Sequence, residues 1–282
     1  MKKLIAVVLC VMMAAVALTG CSSQSENRQS VDAIKKAGKI IMTTNAEFPP
    51  YEYRAEGSKV VGVDIDIANA IAEELGVKLE IQDVDFDTII TSVQSGKVAM
   101  AIAGLTVTDE RKESVDFSAS YATSTQYIIV RNDVNIENVK DLAGKKIGVQ
   151  LGTTGDMVVS DEIKGYFDDD GKKTADGALE NTGAKVEQYA NANLAAAAMD
   201  AGKIDAVVVD KLTAELIVAN YSDMKTVKFL YADGSDTQET YAVAVAKGND
   251  SLLEVINKVL ENLKKEGKID EFTINHTANI KG

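Results

Sequence analysis

The segment AGLTVTDERKE (103–113) ends a run of small and apolar residues with a Thr-x-Thr, two acids and then an arginine. If Thr108 caps a helix, Asp109 and Glu110 lie in its first turn, where negative charge suits the helix dipole. Arg111 then stands at the third helical position, where a cation is disfavoured by about 0.3–1 kcal/mol. Its guanidinium can fork to a carboxylate in a cleft, or it can pair with neighbouring acids on the surface. The pattern alone leaves both interpretations open.

Patterns typical of enzymes are missing from the sequence. His276 is the only histidine, and HExxH, GxSxG, Walker A and post-strand GxGxxG motifs are all missing, so we expect this histidine on the surface. GVQLGTTG (148–155) lacks the Gly-Lys-Ser/Thr of a phosphate-binding loop. The run 168–170 is acidic but lacks the spaced ligands and closing glutamate of a Ca²⁺ loop. The sequence predicts a binder with no metal and no cofactor, although acid pairs such as Asp64 and Asp66 leave acid–base chemistry open.

The N-terminal residues have the pattern of a secretion signal. Residues 1–3 (MKK) precede an apolar run that is too short to span a membrane but typical of a signal peptide. The LTGC that follows resembles the lipobox of bacterial lipoproteins, which implies that residues 1–20 are removed and that Cys21 carries lipid. Cys10 leaves with the signal, so no cysteine remains for a disulfide, a redox pair or a zinc site. Residues 21–30 are polar and predict a flexible tether.

The composition excludes one class of partner and fits a folded protein. The net charge is −13, and no basic stripe is available to replace phosphate counterions, so nucleic acid is not expected to bind. With 282 residues, the chain is long enough for one or two domains with real cores. We expect a monomer that works outside the cytoplasm, held to the cell membrane by its lipid.

Beyond the tether, short β-branched runs alternate with helical patterns, which predicts an α/β fold of βαβ units with mostly parallel sheets. The first series has strand patterns at 39–45, 78–84 and 99–104 and helical patterns at 64–76 and 87–97. The second series has the strand patterns QYIIV, KKIGVQ, KVEQYA and DAVVVD and the helical patterns TTGDMVVSDEI, NLAAAAMDAGK and KLTAELIVANY.

Three segments stand apart from these two series. Residues 165–184 are acidic and glycine-rich and predict a surface loop or insertion. YAVAVA (241–246) alternates strictly, and 251–272 predicts one long amphipathic helix. Ligands of open α/β sheets bind where strands end. AGLTVTDER and VVVDKLT are such strand exits, one in each series, and a cleft between two lobes would bring them face to face.

Several blocks of the sequence, in order, carry a resemblance to a known family. The blocks are TNAEFPPYEY, VGVDIDIANAIAEELG, VDFDTIITSVQSGKVAMAIAGLTVTDERKESVDFS, DLAGKKIGVQLGTTG, DAVVVD and YAVAVAKG. Together they resemble the family-3 extracellular solute-binding proteins of polar amino acid ABC transporters, a group that includes glutamine- and lysine/arginine/ornithine-binding proteins. The resemblance covers roughly residues 38–272, and only the stretch 165–184 departs clearly.

The resemblance implies a type II periplasmic-binding-protein fold, in which two α/β lobes joined by two hinge strands close on a ligand. Lobe 1 would comprise 31–121 plus 241–282, and lobe 2 would comprise 126–236. The hinges would be 122–125 and 237–240.

The resemblance also implies a set of ligand-binding residues. Arg111 would bind the carboxylate of an amino acid, with Gly104 and Thr106 of the same segment beside it, and Asp210 would bind the ammonium group. Thr153 and Thr154 would contact the carboxylate, partly through backbone N–H groups, and Gln150 would face the same cleft. Phe48 and Phe86 would enclose the aliphatic part of the ligand. Asp210 could instead cap the helix that follows it.

Selectivity follows less directly from the resemblance. Asn45 stands where glutamine- and basic-amino-acid-binding relatives often have aspartate, which favours a neutral polar side chain over a basic one. Glu47 lies two residues further and could restore a basic preference. An acidic side chain comes last, since no spare cation is evident.

The implied function is capture of a polar L-amino acid and delivery to an ABC permease in the membrane. Two other functions stay open: a lyase or dehydratase on the same scaffold, with an acid such as Glu47 in the cleft, and a sensory ligand-binding module.

Overall fold

A computed structural model describes residues 29–168 and 170–281. The predicted signal peptide, Cys21 and most of the tether lie outside the described residues, as does Asp169 of the acidic run 168–170. Within the described ranges, no helix is both long and apolar enough to cross a membrane. In the same ranges no cluster of histidine, cysteine and acidic side chains could hold a metal ion.

Runs of one to four strands are separated by α-helices along the described part of the chain. The strands are β1 (Lys39–Thr44), β2 (Glu47–Phe48), β3 (Glu52–Arg54), β4 (Val60–Val61), β5 (Lys78–Asp83), β6 (Met100–Ala101), β7 (Val115–Phe117), β8 (Ala122–Ser124), β9 (Gln126–Arg131), β10 (Lys146–Gln150), β11 (Tyr166–Phe167), β12 (Lys173–Ala175), β13 (Lys185–Tyr189), β14 (Ala206–Asp210), β15 (Met224–Lys228), β16 (Glu239–Tyr241) and β17 (Ala244–Ala246). The α-helices are α1 (Val31–Ala37), α2 (Val63–Leu75), α3 (Ile89–Gln94), α4 (Asp109–Ser114), α5 (Thr154–Lys164), α6 (Ala192–Asp200), α7 (Lys211–Val218), α8 (Asp250–Lys265) and α9 (Lys268–Lys281).

The first sheet has the strand order β5–β1–β6–β17–β7, and we call the part of the chain built around it lobe 1. β1 pairs in parallel with β5 and β6, whereas β17 is antiparallel to β6 and β7. Ile40 and Met42 of β1 belong to the same buried cluster as Ile67 and Ile71 of α2, and Ile256 of α8 joins them. The apolar stripes of α2 and α8 thus cover one face of this sheet.

The second sheet has the order β13–β10–β14–β9–β15, and the part of the chain around it is called lobe 2. β10 is parallel to β13 and β14, but β9 is antiparallel to β14 and β15. The expectation of mostly parallel sheets is therefore half wrong. Parallel pairing needs a long crossover, usually a helix, and neither β9 nor β17 enters its sheet by one.

A two-stranded antiparallel ribbon joins the lobes. β8 pairs with β16, with Ala122 opposite Tyr241 and Ser124 opposite Glu239. The chain passes from lobe 1 to lobe 2 along β8 and returns along β16, after which β17 completes the sheet of lobe 1.

Three predicted elements differ in the structure. The helix predicted over 251–272 is two helices, α8 and α9, which are separated at Gly267, a residue with a φ of 67°. YAVAVA does not expose alternate residues, since positions 241–245 are all buried. The predicted loop 165–184 contains a short antiparallel hairpin of β11 and β12.

His276 is not the surface residue that we expected. Its side chain is only 13% exposed, and its Nε2 lies 3.0 Å from the carboxylate of Asp66 on α2. Its Nδ1 lies 3.0 Å from the hydroxyl of Tyr53. The histidine thus links α9 to the helix and strand beside it.

Candidate functional site

Arg111 projects from the short helix α4, which begins as the sequence predicts. Thr108 is its N-cap and accepts a hydrogen bond from the Arg111 backbone N–H. Arg111 is 5% exposed, and its guanidinium donates to the carbonyls of Thr106 (2.8 Å) and Gly152 (3.0 Å). It also stands 5.6 Å from the centre of the Phe86 ring. Surface pairing of this arginine is therefore wrong: two of its five N–H donors bond to backbone carbonyls, and the guanidinium lines a cavity.

The cavity beside Arg111 lies between the two lobes and is lined by residues of both. Nine of the ten predicted ligand-binding residues line it, and so does Ala103. Those nine are Phe48, Phe86, Gly104, Thr106, Arg111, Gln150, Thr153, Thr154 and Asp210. The structure thus brings the two strand exits together, one from each lobe. Whether these side chains contact a ligand stays a prediction.

Asn45 is the one predicted residue that does not line the cavity. Its side-chain Oδ1 accepts a hydrogen bond from Nε2 of Gln150 (2.9 Å), and its Nδ2 donates to the carbonyl of Val84 (2.8 Å). Asn45 therefore holds Gln150 from lobe 1, and the side chain of Gln150 lies between Asn45 and the cavity.

Asp210 is buried at the end of β14 and does not cap α7 through its side chain. Its carboxylate accepts hydrogen bonds from the Tyr241 hydroxyl and from Nε2 of Gln126 (3.0 Å). The same nitrogen donates to Oε1 of Glu239 (2.9 Å), so one amide group holds two carboxylates. The capping alternative for Asp210 is thus wrong for its side chain, which lines the cavity.

Glu239 lies directly behind the cavity wall, on the ribbon strand β16. Its Oε2 accepts from the hydroxyls of Thr106 and Thr154, both at 2.9 Å, and these threonines belong to different lobes. The side chain is almost fully buried. Glu239 and Gln126 were not predicted as site residues, because nothing in the pattern of either segment points to a cleft.

Burial shifts the pKa values of these groups in the direction expected for a low-dielectric site. It raises the pKa of Asp210, and hydrogen bonds from Tyr241 and Gln126 counteract part of that rise. Burial, followed by the negative charge of Asp210, raises the pKa of Glu239 to about 7. Burial lowers the pKa of Arg111, while the charge of Glu239 opposes that shift.

Gly104 supports the cavity by having no side chain. Its φ is 52°, and a Cβ at this position would lie 2.6 Å from Cε1 of Phe48. Its backbone N–H donates to Oδ2 of Asp64 (2.7 Å), which also accepts from the Tyr121 hydroxyl (2.9 Å). Asp64, which could have served acid–base chemistry, is thus buried, and it anchors the backbone of Gly104 on the side away from the cavity.

Glu52 adds a second acid to this support. It is completely buried beside Asp64, and within the described residues neither of its oxygens has a hydrogen-bond partner as long as it is ionised. Burial, then the charge of Asp64, raise the pKa of Glu52 well above its ordinary value. Burial also raises the pKa of Asp64 to about 6. A protonated Glu52 can donate to Asp64, so the pair retains one proton.

Further contacts join the lobes around the cavity. The Thr213 hydroxyl on α7 donates to the carbonyl of Pro49 (3.0 Å), and Gly152 packs against Asp87, whose Cβ lies 3.2 Å from where a Cβ of Gly152 would stand. Together with the Arg111–Gly152 hydrogen bond, they describe a closed arrangement of the two lobes.

Comparison with known proteins identifies the family. The sequence matches the family described as bacterial extracellular solute-binding proteins, family 3, over residues 40–276. The chain belongs to this family. The resemblance carried by its sequence blocks is confirmed.

Relatives of this solute-binding protein include proteins named for the amino acids they bind. The arginine-binding extracellular protein ArtP of Bacillus subtilis (strain 168) is 32% identical over 256 residues, which cover 91% of each chain. A probable histidine-binding protein of Neisseria gonorrhoeae is 30% identical, over 99% of this chain and 96% of that one.

Solved structures confirm the type II fold of this solute-binding protein. The amino acid ABC transporter substrate-binding protein AbpA of Streptococcus pneumoniae, bound to L-arginine, has a TM-score of 0.78 at 30% identity. The alignment covers 89% of this chain and 99% of that one. An ancestral arginine-binding protein bound to arginine has a TM-score of 0.73 at 39% identity, over 84% of this chain and 97% of that one.

Proposed function

We propose that this solute-binding protein captures an L-amino acid between its lobes and delivers it unchanged to an ABC permease. The observation that carries the proposal is the meeting of buried Arg111 and buried Asp210 in one closed cavity, each from a different lobe. A free amino acid carries a carboxylate and an ammonium group at a fixed separation. A planar cationic donor and an anionic acceptor on opposite walls can bind both groups at once.

The remaining predicted residues complete this site. Gly104 and Thr106 lie beside Arg111, Thr153 and Thr154 begin helix α5, and Gln150 is held by Asn45. Phe48 and Phe86 supply apolar walls for the carbon chain of the ligand. The proposal assigns all of these residues to ligand binding, with Asn45 acting through Gln150.

A basic side chain is the first ligand class to test. The sequence favoured a neutral one because Asn45 carries no charge, yet Asn45 stands outside the cavity wall. When Asp210 and Glu239 are both ionised, two buried negative charges face the single positive charge of Arg111. A cationic ligand balances that excess. The relatives named for arginine and histidine agree with this choice.

The proposal also includes rotation of the two lobes and attachment of the protein to the membrane. Lobe 1 (31–121 plus 241–282) and lobe 2 (126–236) would rotate about the hinges at 122–125 and 237–240. The protein would act as a monomer outside the cytoplasm, and lipid on Cys21 would hold it at the membrane near its permease.

A calorimetric screen against the common L-amino acids tests the function. We expect micromolar or tighter binding, which corresponds to about −8 kcal/mol, for at least one of them, with L-arginine first. The ligand must be recovered chemically unchanged, since a lyase would release a product. Failure to bind any of them would contradict the proposal.

A further inference from the structure

Glu239 occupies a place in the fold where both lobes and the ribbon meet. It stands on β16, the strand along which the chain returns to lobe 1. Its Oε2 accepts from Thr106 of lobe 1 and from Thr154 of lobe 2, each at 2.9 Å. Both threonines line the cavity, whereas Glu239 lies behind them. A carboxylate here fixes the orientation of two hydroxyls that face the ligand space.

The same carboxylate is a close neighbour of Asp210. Nε2 of Gln126 donates to Glu239 at 2.9 Å and to Asp210 at 3.0 Å, so two acidic groups share one nitrogen. Two buried carboxylates this close cannot both ionise freely without a positive charge nearby. The charged and titratable groups around Glu239 are Arg111 from α4, Asp210 from β14, Tyr241 from its own strand and Tyr231.

We propose that Glu239 is a positioning residue of this site, which joins the cavity threonines of both lobes and gives up a proton to the solvent when a ligand cation reaches Asp210. The inference rests on the proposed function, because it needs the ligand's ammonium group at Asp210. In the closed cleft without a ligand, Glu239 carries the proton and keeps its threonine contacts, since a hydroxyl can accept as well as donate. Burial is the larger cause that opposes ionisation of Glu239, and the negative charge of Asp210 is the second. When the ammonium group pairs with Asp210, this second cause is neutralised, which favours release of the proton. The raised pKa of Glu239 places this exchange near neutral pH.

Proton release makes the affinity depend on pH in a defined direction. A binding step that releases protons is strengthened when their concentration falls, so the affinity rises with pH. We expect a rise of about three- to tenfold between pH 6 and pH 8, since at most one proton leaves. A cationic side chain adds a second positive charge, so L-arginine is expected to release more protons than its neutral isostere L-citrulline.

Titration calorimetry with L-arginine tests the proposal on the wild-type chain and on Glu239→Gln. Each titration is run at pH 7 in two buffers of different ionisation enthalpy, which gives the number of protons released, and is repeated at pH 6 and pH 8. The amide retains the size of Glu239 and an oxygen for the two threonines, but it cannot titrate. Glu110→Gln is the matched control, because it removes an equal charge beside Arg111 from an exposed position.

The outcomes separate the proposal from the function on which it rests. We expect proton release and a pH-dependent affinity in the wild type and in Glu110→Gln, and neither in Glu239→Gln. Binding without proton release, or release that survives in Glu239→Gln, overturns the role of Glu239 and leaves amino acid capture intact. If L-arginine does not bind, the amino acid found in the screen replaces it, and failure of every amino acid overturns the proposed function and this inference together.

Discussion

Arg111 lines the cavity between the lobes, and its position in the first turn of α4 destabilises that helix only slightly. A cation in the first turn of α4 opposes the helix dipole by less than about 1 kcal/mol. Two of the acids that could have paired with it on the surface have other partners, since Lys112 pairs with Asp109 and Lys247 with Asp116. Two backbone carbonyls hold the guanidinium instead, which leaves further N–H donors for a ligand carboxylate.

Replacement of Arg111 by lysine keeps the charge and removes the planar fork. We expect amino acid affinity to fall about 100-fold, or about 3 kcal/mol, because one ammonium cannot make two parallel bonds to a carboxylate. The measurement is calorimetric titration with L-arginine. Arg131→Lys is the control, since Arg131 pairs with Asp223 on the surface of lobe 2. An affinity of Arg111→Lys within twofold of wild type would count against the carboxylate contact.

The buried acids Glu52 and Asp64 make the stability of the protein depend on pH. The folded-state pKa values of both are raised, so the folded chain holds protons that the unfolded chain releases. Their contribution to the stability of the fold is fully present below about pH 4, where both acids are protonated in the folded and the unfolded chain. It is lost as the pH rises through the raised pKa values of the folded chain. For Asp64, that loss centres near pH 6, and for Glu52 it continues at higher pH.

Glu52→Gln tests this dependence through chemical unfolding at pH 5 and pH 9. The amide can donate to Asp64 without carrying a proton that dissociates. We compare the free energy of unfolding of the variant with that of wild type at each pH. We expect this difference to shift in favour of the variant by about 1–3 kcal/mol from pH 5 to pH 9. Glu73→Gln, an exposed change on the same lobe, should show no such difference. Parallel pH profiles for wild type and Glu52→Gln would refute the shared proton.

At the scale of elements, the segments that follow three strands position the residues that line the cavity. β14 ends at Asp210, the turn after β10 leads to Thr153 and Thr154, and the segment after β6 carries Gly104 to Arg111. Each of these turns lies at the carboxyl end of a strand, where open α/β sheets place their ligands. The periodicity of the sequence was sufficient to predict these elements and turns.

Gly104→Ala tests the packing of one such turn. The new Cβ would lie 2.6 Å from the Phe48 ring at a φ of 52°, so we expect weaker ligand binding and a loss of stability. Gly76→Ala is the matched control: its φ is 71°, and no atom lies within 4 Å of the added Cβ. Both variants bear the backbone cost of about 1–2 kcal/mol, so their difference in the free energy of unfolding reports the Phe48 contact. Calorimetric affinity should fall only in Gly104→Ala, because Gly76 does not line the cavity. Equal affinities would mean that the Phe48 ring moves away without consequence.

Elements that depend on long-range pairing were harder to predict. α8 and α9 form one continuous helical pattern, and only the positive φ of Gly267 shows where the chain turns. YAVAVA alternates in sequence but is covered on both faces, because Val245 of β17 belongs to the buried cluster of α2 and α8 and Ala244 to the cluster that includes α3. Gln126 meets Asp210 through the pairing of β9 with β14, and Glu239 reaches them through the pairing of β16 with β8, so no local pattern could place them in the site.

At the scale of the whole molecule, the ribbon of β8 and β16 makes the two lobes separate bodies with a shared site. The ordered sequence blocks indicated this architecture through their resemblance to a family, whereas periodicity alone predicted only two α/β series. Contacts from Thr213 to Pro49 and from Arg111 to Gly152 hold the lobes in the closed arrangement. A ligand that touches both lobes would favour that arrangement over an open one.

Cysteines at positions 87 and 152 would report closure directly. In the closed form, Cβ of Asp87 lies 3.2 Å from the position of a Cβ on Gly152, near the spacing of about 3.8 Å that a disulfide needs. The native cysteines are at 10 and 21 only, so a chain that begins at Ser22 offers no competing thiol. We expect Asp87→Cys/Gly152→Cys to oxidise several-fold faster with L-arginine, as measured by loss of free thiols. Equal rates with and without ligand would contradict ligand-driven closure.

The central claim is that the α-carboxylate of an amino acid binds at Arg111 between the lobes. The most direct measurement compares L-arginine with L-argininamide, in which an amide replaces the carboxylate, by calorimetric titration of the wild-type chain. The two ligands share the ammonium and guanidinium groups, so a difference reports the carboxylate contact. We predict micromolar or tighter binding of L-arginine and a loss of at least about 100-fold for the amide. Equal affinities for the two would contradict the account.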